Sequence, residues 1–270
     1  MRTARAGLRL SIALLLCLAG TARAQEEAPL AVKPPEGSII INLPSADTPG
    51  PRTLQLLFTH RFSGPVQESD IHSLFSFDSG ADVNIGLAYV PIKNLEAGFQ
   101  RARALEDYEV YAKYTFLGGA SPVHAAARVG GDWRTERGYP ERFSFFVQAI
   151  AAVTLLERVR ISVVPTFVTK AAGQRFVLQI RDNVFNVPIA VSAAVTRSIN
   201  VQGELVPRHG QSPGTGWIVA IEKTLPKHRF SFTAGNLRAV TVDQYTASDF
   251  NALPPSNIYL GFNIVRQWKL

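Results

Sequence analysis

The stretch Ala-Asp-Val-Asn-Ile-Gly-Leu-Ala-Tyr-Val, residues 81–90, alternates between two kinds of side chain. Odd positions such as Ile85 and Tyr89 are apolar, whereas Asp82 and Asn84 at even positions are polar. Successive side chains of a β-strand point to opposite faces, so a period of two indicates a strand rather than a helix. The stretch therefore predicts a strand with one apolar face and one polar face.

The same period continues from Arg52 to the end of the sequence, most clearly in 108–117 and 123–133. It predicts about twelve strands, each near the ~10 residues that a tilted strand needs to cross a membrane. They are expected near 52–62, 81–90, 95–103, 108–117, 123–133, 142–155, 159–169, 186–196, 200–208, 216–225, 229–237 and 257–270. Pro165 and Pro188 fall inside two of them, where we expect bulges or displaced strand boundaries.

The connections between these strands alternate between short and long, with 104–107 as a short exception among the long ones. Short periplasmic turns and long extracellular loops are typical of transmembrane β-barrels. An even number of strands places both ends of the barrel on the periplasmic side. The sequence thus predicts an all-β fold, a transmembrane antiparallel up-and-down β-barrel occupying residues 52–270.

Composition supports a membrane barrel. The chain is 46% hydrophobic and only 18% charged, yet no apolar stretch after residue 24 approaches the length of a transmembrane helix. A barrel explains both properties, because its outward face is apolar although no run is continuous. The basic residues are scattered rather than clustered, which argues against a nucleic-acid partner.

The N-terminus is typical of a secretory signal peptide at residues 1–24. Three arginines precede the apolar run 10–18, and Ala22-Arg23-Ala24 is a cleavage site that leaves Gln25 first. A membrane anchor is the alternative, but the run is too short to span a bilayer. Without the signal, 24 basic residues face 21 acidic ones, a net charge of +3. The single cysteine, Cys17, also lies in the signal.

Residues 25–51 form a Pro-rich leader, which we expect to be a plain periplasmic linker. Within it, Ile39–Leu43 could instead form a short strand or a docking motif. Delivery by a signal peptide and an outward apolar face together predict the outer membrane of a Gram-negative bacterium as the location, with outer-membrane lipid as a partner.

The polar strand face is where function is expected. Alternation points residues of both charge signs inward, and these candidates are Arg61, Asp82, Glu96, Glu109, Lys113, His124, Arg128, Asp132, Arg142, Glu204, Arg208 and Glu222. They could line a water-filled pore for small solutes, or form a self-neutralising network in a narrow lumen. A small pore or passive channel is the leading prediction. The alternative is a non-conducting barrel whose long loops bind a partner.

No catalytic, cofactor or metal motif is present in the sequence. The five histidines are not spaced as metal ligands, and no nucleophile elbow, P-loop or dinucleotide fingerprint occurs. An outer-membrane lipid-active enzyme is a remote alternative, for which His60 would be the residue of interest. We therefore expect no enzyme, no cofactor and no metal, and we expect the Gly130-Gly131 pair to mark a close approach or a bend.

The last strand resembles the C-terminal motif that the barrel-assembly machinery recognises, so that machinery is an expected partner. Leu260, Phe262 and Ile264 alternate on its apolar face. The strand departs from the motif by ending in Leu270 rather than phenylalanine, and by placing Arg266 on the apolar face.

Several segments resemble the uncharacterised β-barrel family labelled domain of unknown function 5777, over roughly Arg52 to Leu270. They are Leu57-Phe58-Thr59-His60-Arg61-Phe62, Ser73 to Asp82, Asn84-Ile85-Gly86-Leu87-Ala88-Tyr89, Asn94-Leu95, Tyr111-Ala112-Lys113-Tyr114, Val164-Pro165-Thr166-Phe167-Val168 and Leu260-Gly261-Phe262-Asn263-Ile264. The resemblance implies an outer-membrane-type barrel and no assigned activity.

Overall fold

Twelve antiparallel strands form a closed barrel in the computed structural model, which describes residues 37–138, 143–171, 183–208, 214–247 and 256–270. Two of the strands are each interrupted once. The strands are β1 (Thr53–Phe62), β2 (Ala81–Ile92), β3 (Leu95–Ala102), β4 (Asp107–Leu117), β5 (Val123–Arg134), β6 (Phe143–Leu155), β7 (Val159–Val163 and Thr166–Val168), β8 (Val184–Asn186 and Ile189–Ala194), β9 (Ile199–Val206), β10 (Gly216–Leu225), β11 (His228–Gly235) and β12 (Tyr259–Lys269).

The barrel closes through its first strand. Leu57 of β1 lies opposite Gly86 of β2 on one side and opposite Val265 of β12 on the other. Every other strand pairs with its neighbours in the chain. The predicted up-and-down topology and strand number are therefore confirmed.

The interruptions in β7 and β8 occur at the two prolines. Pro165 lies opposite Val187, and Pro188 lies opposite Val164, so the two gaps face each other across one strand pair. Pairing resumes in the same register beyond the gaps, and the prolines still accept hydrogen bonds through their carbonyls, Pro188 from Val164 at 2.9 Å. Proline has no N–H to donate. The ladder therefore breaks without a bulge, and inward and outward positions do not exchange.

The two ends of the barrel differ. At the turn end, five short connections join successive strands, such as Lys93-Asn94 between β2 and β3. The chain also enters β1 and leaves β12 at this end. At the loop end the connections are longer, except for 103–106. This alternation matches the prediction from the sequence.

The outward face of the wall is apolar and exposed, with Phe145, Ile85 and Val110 each more than half accessible. The inward face is buried and largely polar. The outer surface therefore suits contact with lipid, because each strand turns its apolar residues outward and its polar residues inward. As for helices, the described residues contain none that is both long enough and apolar enough to cross a membrane.

The long connection between β1 and β2 packs back onto the outside of the wall. Its residues Leu74 and Phe75 adopt left-handed backbone angles, with φ of 47° and 53°. The Phe77 ring lies 5.0 Å from Phe62 and 6.3 Å from Phe232, both of them wall residues. This loop therefore extends the apolar outer surface.

Candidate functional site: a filled lumen

The wall facing the lumen carries a chain of ion pairs across β3, β4 and β5. Lys113 Nζ lies 3.5 Å from a carboxylate oxygen of Glu96, and Arg128 pairs with Glu109. Tyr111 donates its hydroxyl to Glu96 over 3.0 Å, and the Arg128 guanidinium stacks 3.8 Å above the Tyr111 ring. Each of these two cations lies beside an anion, so the four charges balance one another.

Two glycines make room for the rings in this network. A Cβ on Gly98 would lie 2.3 Å from the Tyr111 ring, and one on Gly130 would lie 2.4 Å from the Phe146 ring. Tyr111 and Phe146 therefore lie flat across neighbouring strands, where Arg128 contacts both. The close approach predicted at Gly130-Gly131 is confirmed.

A second polar group lies on the opposite side of the lumen. Arg229 of β11 pairs with Glu222 of β10, with its Nε 2.8 Å from the carboxylate. Arg61 of β1 donates to the side-chain oxygen of Asn263 over 2.8 Å. Each arginine also has a donor directed toward the barrel axis, where a separate segment of the chain lies.

That segment is part of the leader, and its structure corrects the expectation of a plain linker. Residues 38–47, here called the plug segment, are all buried except the half-buried Ile39. They fold into a tight turn in which Ile40 N–H donates to Leu43 and Ser45 N–H donates to Ser38, both over 2.8 Å. The turn lies inside the lumen because charged side chains of the wall form hydrogen bonds with its backbone N–H and C=O groups.

The tip of the turn wraps around the carboxylate of Glu204. The N–H groups of Ile41, Asn42 and Leu43 all donate to this carboxylate, over 2.7 to 3.0 Å. Successive N–H groups that converge on one point form a binding concavity for an anion. The glutamate side chain of β9 is thus the anion, and the plug segment is its receptor.

The backbone carbonyls of the plug segment accept hydrogen bonds from the wall in turn. Lys113 donates to the carbonyls of Ser45 and Asp47 over 3.2 and 2.8 Å, and Thr115 donates to that of Ala46 over 2.8 Å. On the other side of the lumen, Arg229 and Asn263 donate to the carbonyls of Ile39 and Ile41. The hydrogen bonds to the plug segment are therefore made mainly with its main chain, while Ile40, Ile41 and Leu43 pack in a buried apolar cluster.

One side chain adds an ionic contact near the turn end. The Asp47 carboxylate lies 2.7 Å from Nδ1 of His124 and also pairs with Arg160. His124 and Arg160 are adjacent in space, with Nε2 of the first 3.1 Å from a guanidinium nitrogen of the second. Asp47 therefore fills a site made by β5 and β7.

A second segment enters the lumen from the loop end. Residues 236–247 after β11, here called the loop insert, are buried except the half-buried Arg238 and end in the short helix α1 (Val242–Ala247). Val242 N–H donates to Glu109 over 2.8 Å, and the Tyr245 hydroxyl accepts from Gln148 over 2.8 Å. Burial raises the pKa of Tyr245 above its ordinary value, so this phenol stays neutral.

The loop insert is also joined to the wall by a buried ion pair. Arg134 at the end of β5 lies 2.8 Å from the Asp243 carboxylate, and neither side chain is accessible to solvent. Arg134 also donates to the carbonyl of Lys170 over 3.0 Å. Apolar side chains complete the contact, since Leu237, Val242 and Tyr245 belong to the same buried cluster as Phe146 of the wall.

Most of the candidate residues named from the sequence meet in this lumen. The structure buries nine of the twelve, which are Arg61, Glu96, Glu109, Lys113, His124, Arg128, Asp132, Glu204 and Glu222. Asp82 is half-buried near the rim, and Arg142 lies outside the described residues. Arg208 differs from its prediction: it is exposed beyond the end of β9, because Pro207 cannot donate a further ladder hydrogen bond.

Sequence reasoning missed both inserted segments as the filling of the lumen. The signal for the plug segment was the apolar run at Ile39–Leu43 inside an otherwise polar, Pro-rich leader. For the loop insert it was the absence of a turn composition between Leu237 and Ala247. Neither sequence pattern predicts which wall residues each segment contacts.

His60 lies on the outer face, away from the lumen network. Its ring stacks 4.8 Å from Phe262 and lies 4.5 Å from Phe62. These contacts place it in an aromatic cluster at the closing seam of β1 and β12. A packing role accounts for its position.

Comparison with protein families gives a match to the membrane-bound β-barrel domain labelled DUF5777, over residues 36–268. The chain belongs to this family. The matched stretch begins at residue 36 and so includes the plug segment as well as the barrel. No curated protein matches the chain.

Solved structures share the architecture at low sequence identity. The COG4313 outer-membrane channel from Pseudomonas putida F1 is 13% identical, with a TM-score of 0.52 over 82% of this chain and 97% of that one. Outer-membrane phospholipase A from Escherichia coli is 10% identical, with a TM-score of 0.44 over 79% and 89%. Omp33 from Acinetobacter baumannii is also 10% identical, with a TM-score of 0.41 over 80% and 98%. The similarity to the Pseudomonas putida channel supports the fold of this chain and nothing beyond the fold.

Proposed function

We propose that the protein is an outer-membrane channel for small polar solutes, closed by its plug segment and opened when that segment withdraws toward the periplasm. The observation that carries the proposal is the way the plug segment is bound. Its main-chain groups are held by charged side chains of the wall, above all by Glu204. Water can replace each of these hydrogen bonds, so withdrawal leaves no polar group unsatisfied, and it exposes the apolar side chains of Ile40, Ile41 and Leu43.

The chemistry of the wall also supports a lumen that fills with water. Buried ion pairs such as Lys113–Glu96 and Arg128–Glu109 give little net stability, and apolar residues of similar volume often serve a permanent core as well or better. Charged walls are what a solute or ion requires along a hydrated path. A lumen that was always filled would not need them.

Covalent connectivity favours the plug segment as the part that moves. It joins the wall only through residues 48–52, which lead into β1 at the turn end. The predicted orientation places that end in the periplasm. The proposed exit therefore requires no strand to separate from its neighbours.

Conductance in planar bilayers tests the proposal. A chain that starts at Gly50 lacks the plug segment and is expected to show at least a tenfold higher mean conductance than the chain from Gln25. The tenfold figure assumes that the bound plug segment is about 1.4 kcal/mol more stable than the withdrawn one, because such a segment is displaced only about a tenth of the time. A chain that lacks only residues 25–36 keeps the plug segment and serves as the control. A barrel from Gly50 that stays closed would overturn the proposal.

A disulfide can hold the plug segment in place for the reverse experiment. The hydroxyl oxygens of Thr48 and Thr115 are 2.8 Å apart, and the chain after residue 24 has no cysteine of its own. The double variant Thr48→Cys, Thr115→Cys is expected to stay closed when oxidised and to open after reduction at least as often as the wild type. Equal conductance in both states would contradict gating by this segment.

The prediction that the chain is not an enzyme stays a prediction.

A further inference from the structure

Three aspartates meet where the loop insert touches the wall. Asp107 begins β4, Asp132 lies near the end of β5, and Asp243 lies in α1. One carboxylate oxygen from each lies within 4.8 Å of those of the other two. Their exposed fractions are 0%, 2% and 0%. Three ionised carboxylates in one buried site repel one another unless a positive charge lies between them.

The protein supplies few donors to this cluster. Thr241 Oγ lies 2.9 Å from Asp107 and 2.8 Å from Asp243, but a hydroxyl has one proton and can donate to only one of them. Arg134 donates to Asp243. Within the described residues, one oxygen of Asp107 and both oxygens of Asp132 have no hydrogen-bond partner.

A neutral oxygen provides an independent indication at the same place. Gln244 is fully buried, and its amide nitrogen donates to Asp107 over 3.1 Å and to the carbonyl of Ala104 over 3.2 Å, which fixes the amide group beside the cluster. Its amide oxygen has no donor among the described residues. A buried amide oxygen without a donor is costly in a protein interior, whereas it is an ordinary ligand for a hard cation.

The charge balance gives the valence of the missing partner. When all three aspartates are ionised they contribute −3 and Arg134 contributes +1, which leaves −2 at the cluster within the described residues. The nearby Glu109 does not change this balance, because Arg128 neutralises it. A divalent cation therefore restores neutrality.

We propose that Asp107, Asp132 and Asp243, together with the amide oxygen of Gln244, bind a Ca²⁺ ion that fastens the loop insert to the wall. All the ligands are oxygens, and they come from β4, β5 and the helix of the loop insert. Ca²⁺ accepts six to eight oxygens in flexible geometry, whereas Mg²⁺ demands a near-ideal octahedron. The site is separate from the plug segment, so it bears on the fixed part of the lumen rather than on the gate.

Thermal unfolding of the full chain in detergent, with Ca²⁺ or with EDTA, tests the site. Ca²⁺ is expected to raise the unfolding temperature by roughly 5 °C, since a ligand that binds only the folded state stabilises it. Asp132→Asn is expected to remove this shift and, in EDTA, to unfold at a higher temperature than the wild type, because one repelling charge is gone. Asp82→Asn, at the same rim but outside the cluster, should keep the full shift.

Titration calorimetry with Ca²⁺ provides a second measurement that does not depend on unfolding. Gln244→Met keeps the charge of the site and removes only the amide oxygen, so we expect its Ca²⁺ affinity to fall about tenfold, the effect of roughly 1.4 kcal/mol. Absence of Ca²⁺ binding to the wild type would overturn the proposal, as would an unchanged shift in Asp132→Asn. A shift with Mg²⁺ but none with Ca²⁺ would overturn the assignment of the ion.

Discussion

The plug segment and the loop insert fill the same lumen but are attached to it differently. The plug segment joins the wall at one of its ends, before β1, whereas the loop insert is joined at both, by β11 and β12. The plug segment is bound mainly through main-chain hydrogen bonds to wall side chains such as Glu204 and Lys113. Both segments also form an ion pair with the wall and contribute apolar side chains to one buried cluster, among them Ile41 and Leu43 from the plug segment.

This difference determines what happens when a contact is lost. A segment held at one end can move into water, where its polar groups find new partners, and no strand has to separate from its neighbours. A segment held at both ends stays in the lumen with its unsatisfied groups. Loss of a contact to the plug segment should therefore change how often the lumen is open, and loss of a contact to the loop insert should change the stability of the whole fold.

Two buried arginines give the strongest test of this distinction. Arg134→Met removes the counter-charge of Asp243 in the loop insert, and such a loss in a protein interior costs about 3–5 kcal/mol. Arg160→Met removes a counter-charge of Asp47 in the plug segment. We expect Arg134→Met to lower the free energy of unfolding by the full amount and Arg160→Met to lower it much less, while Arg160→Met raises the open fraction. Chemical unfolding and bilayer recordings measure the two effects, and equal losses of stability would show that the segments do not differ.

The wall of the barrel was predictable from the sequence because its pattern is local. The alternation in residues 81–90 requires only that neighbouring residues point to opposite faces, and the twelve strands keep that order apart from register shifts at the turn ends of β2 and β4. Even the prolines at 165 and 188 leave the order intact, since each removes one donor without adding a residue. Of the two outcomes expected there, the bulges are absent, since pairing resumes in the same register beyond the gaps, and the boundaries of β8 are displaced by two residues.

The filling of the lumen was not predictable in the same way, because it depends on contacts between distant parts of the chain. Glu204 binds residues that precede it by more than 160 positions. Its inward direction follows from strand alternation, but its partner does not. The composition of the leader, rich in proline and poor in regular periodicity, is the same for a free linker and for a bound turn. Only the apolar residues around Ile41 distinguish the two.

Glu204→Gln should weaken the plug segment without weakening the barrel. The amide keeps one acceptor but loses the charge that three N–H groups share, and hydrogen bonds to a charged group contribute about 1.5–3 kcal/mol. We expect the open fraction in bilayers to rise roughly tenfold or more. Glu109→Gln is the matched control, because its carboxylate accepts from Val242 in the loop insert. That variant should unfold at a lower temperature with no rise in the open fraction, and the opposite pattern would reverse the roles of the two segments.

The smallest expected effect comes from a single hydroxyl. Thr115 donates to the carbonyl of Ala46 in the plug segment over 2.8 Å, and valine has the same shape without the donor. One such bond contributes about 1 kcal/mol, so Thr115→Val should raise the open fraction about fivefold. Thr233→Val is the control: Thr233 is equally buried on the lumen face, but its hydroxyl has no partner among the described residues. Thr233→Val therefore loses no bond to the plug segment and should leave the open fraction unchanged. Because both variants place a methyl group where a buried hydroxyl was, a difference between them isolates the hydrogen bonds of the Thr115 hydroxyl, which contacts Ala46 and Thr48. Equal open fractions would mean that this hydroxyl is not part of what holds the lumen closed.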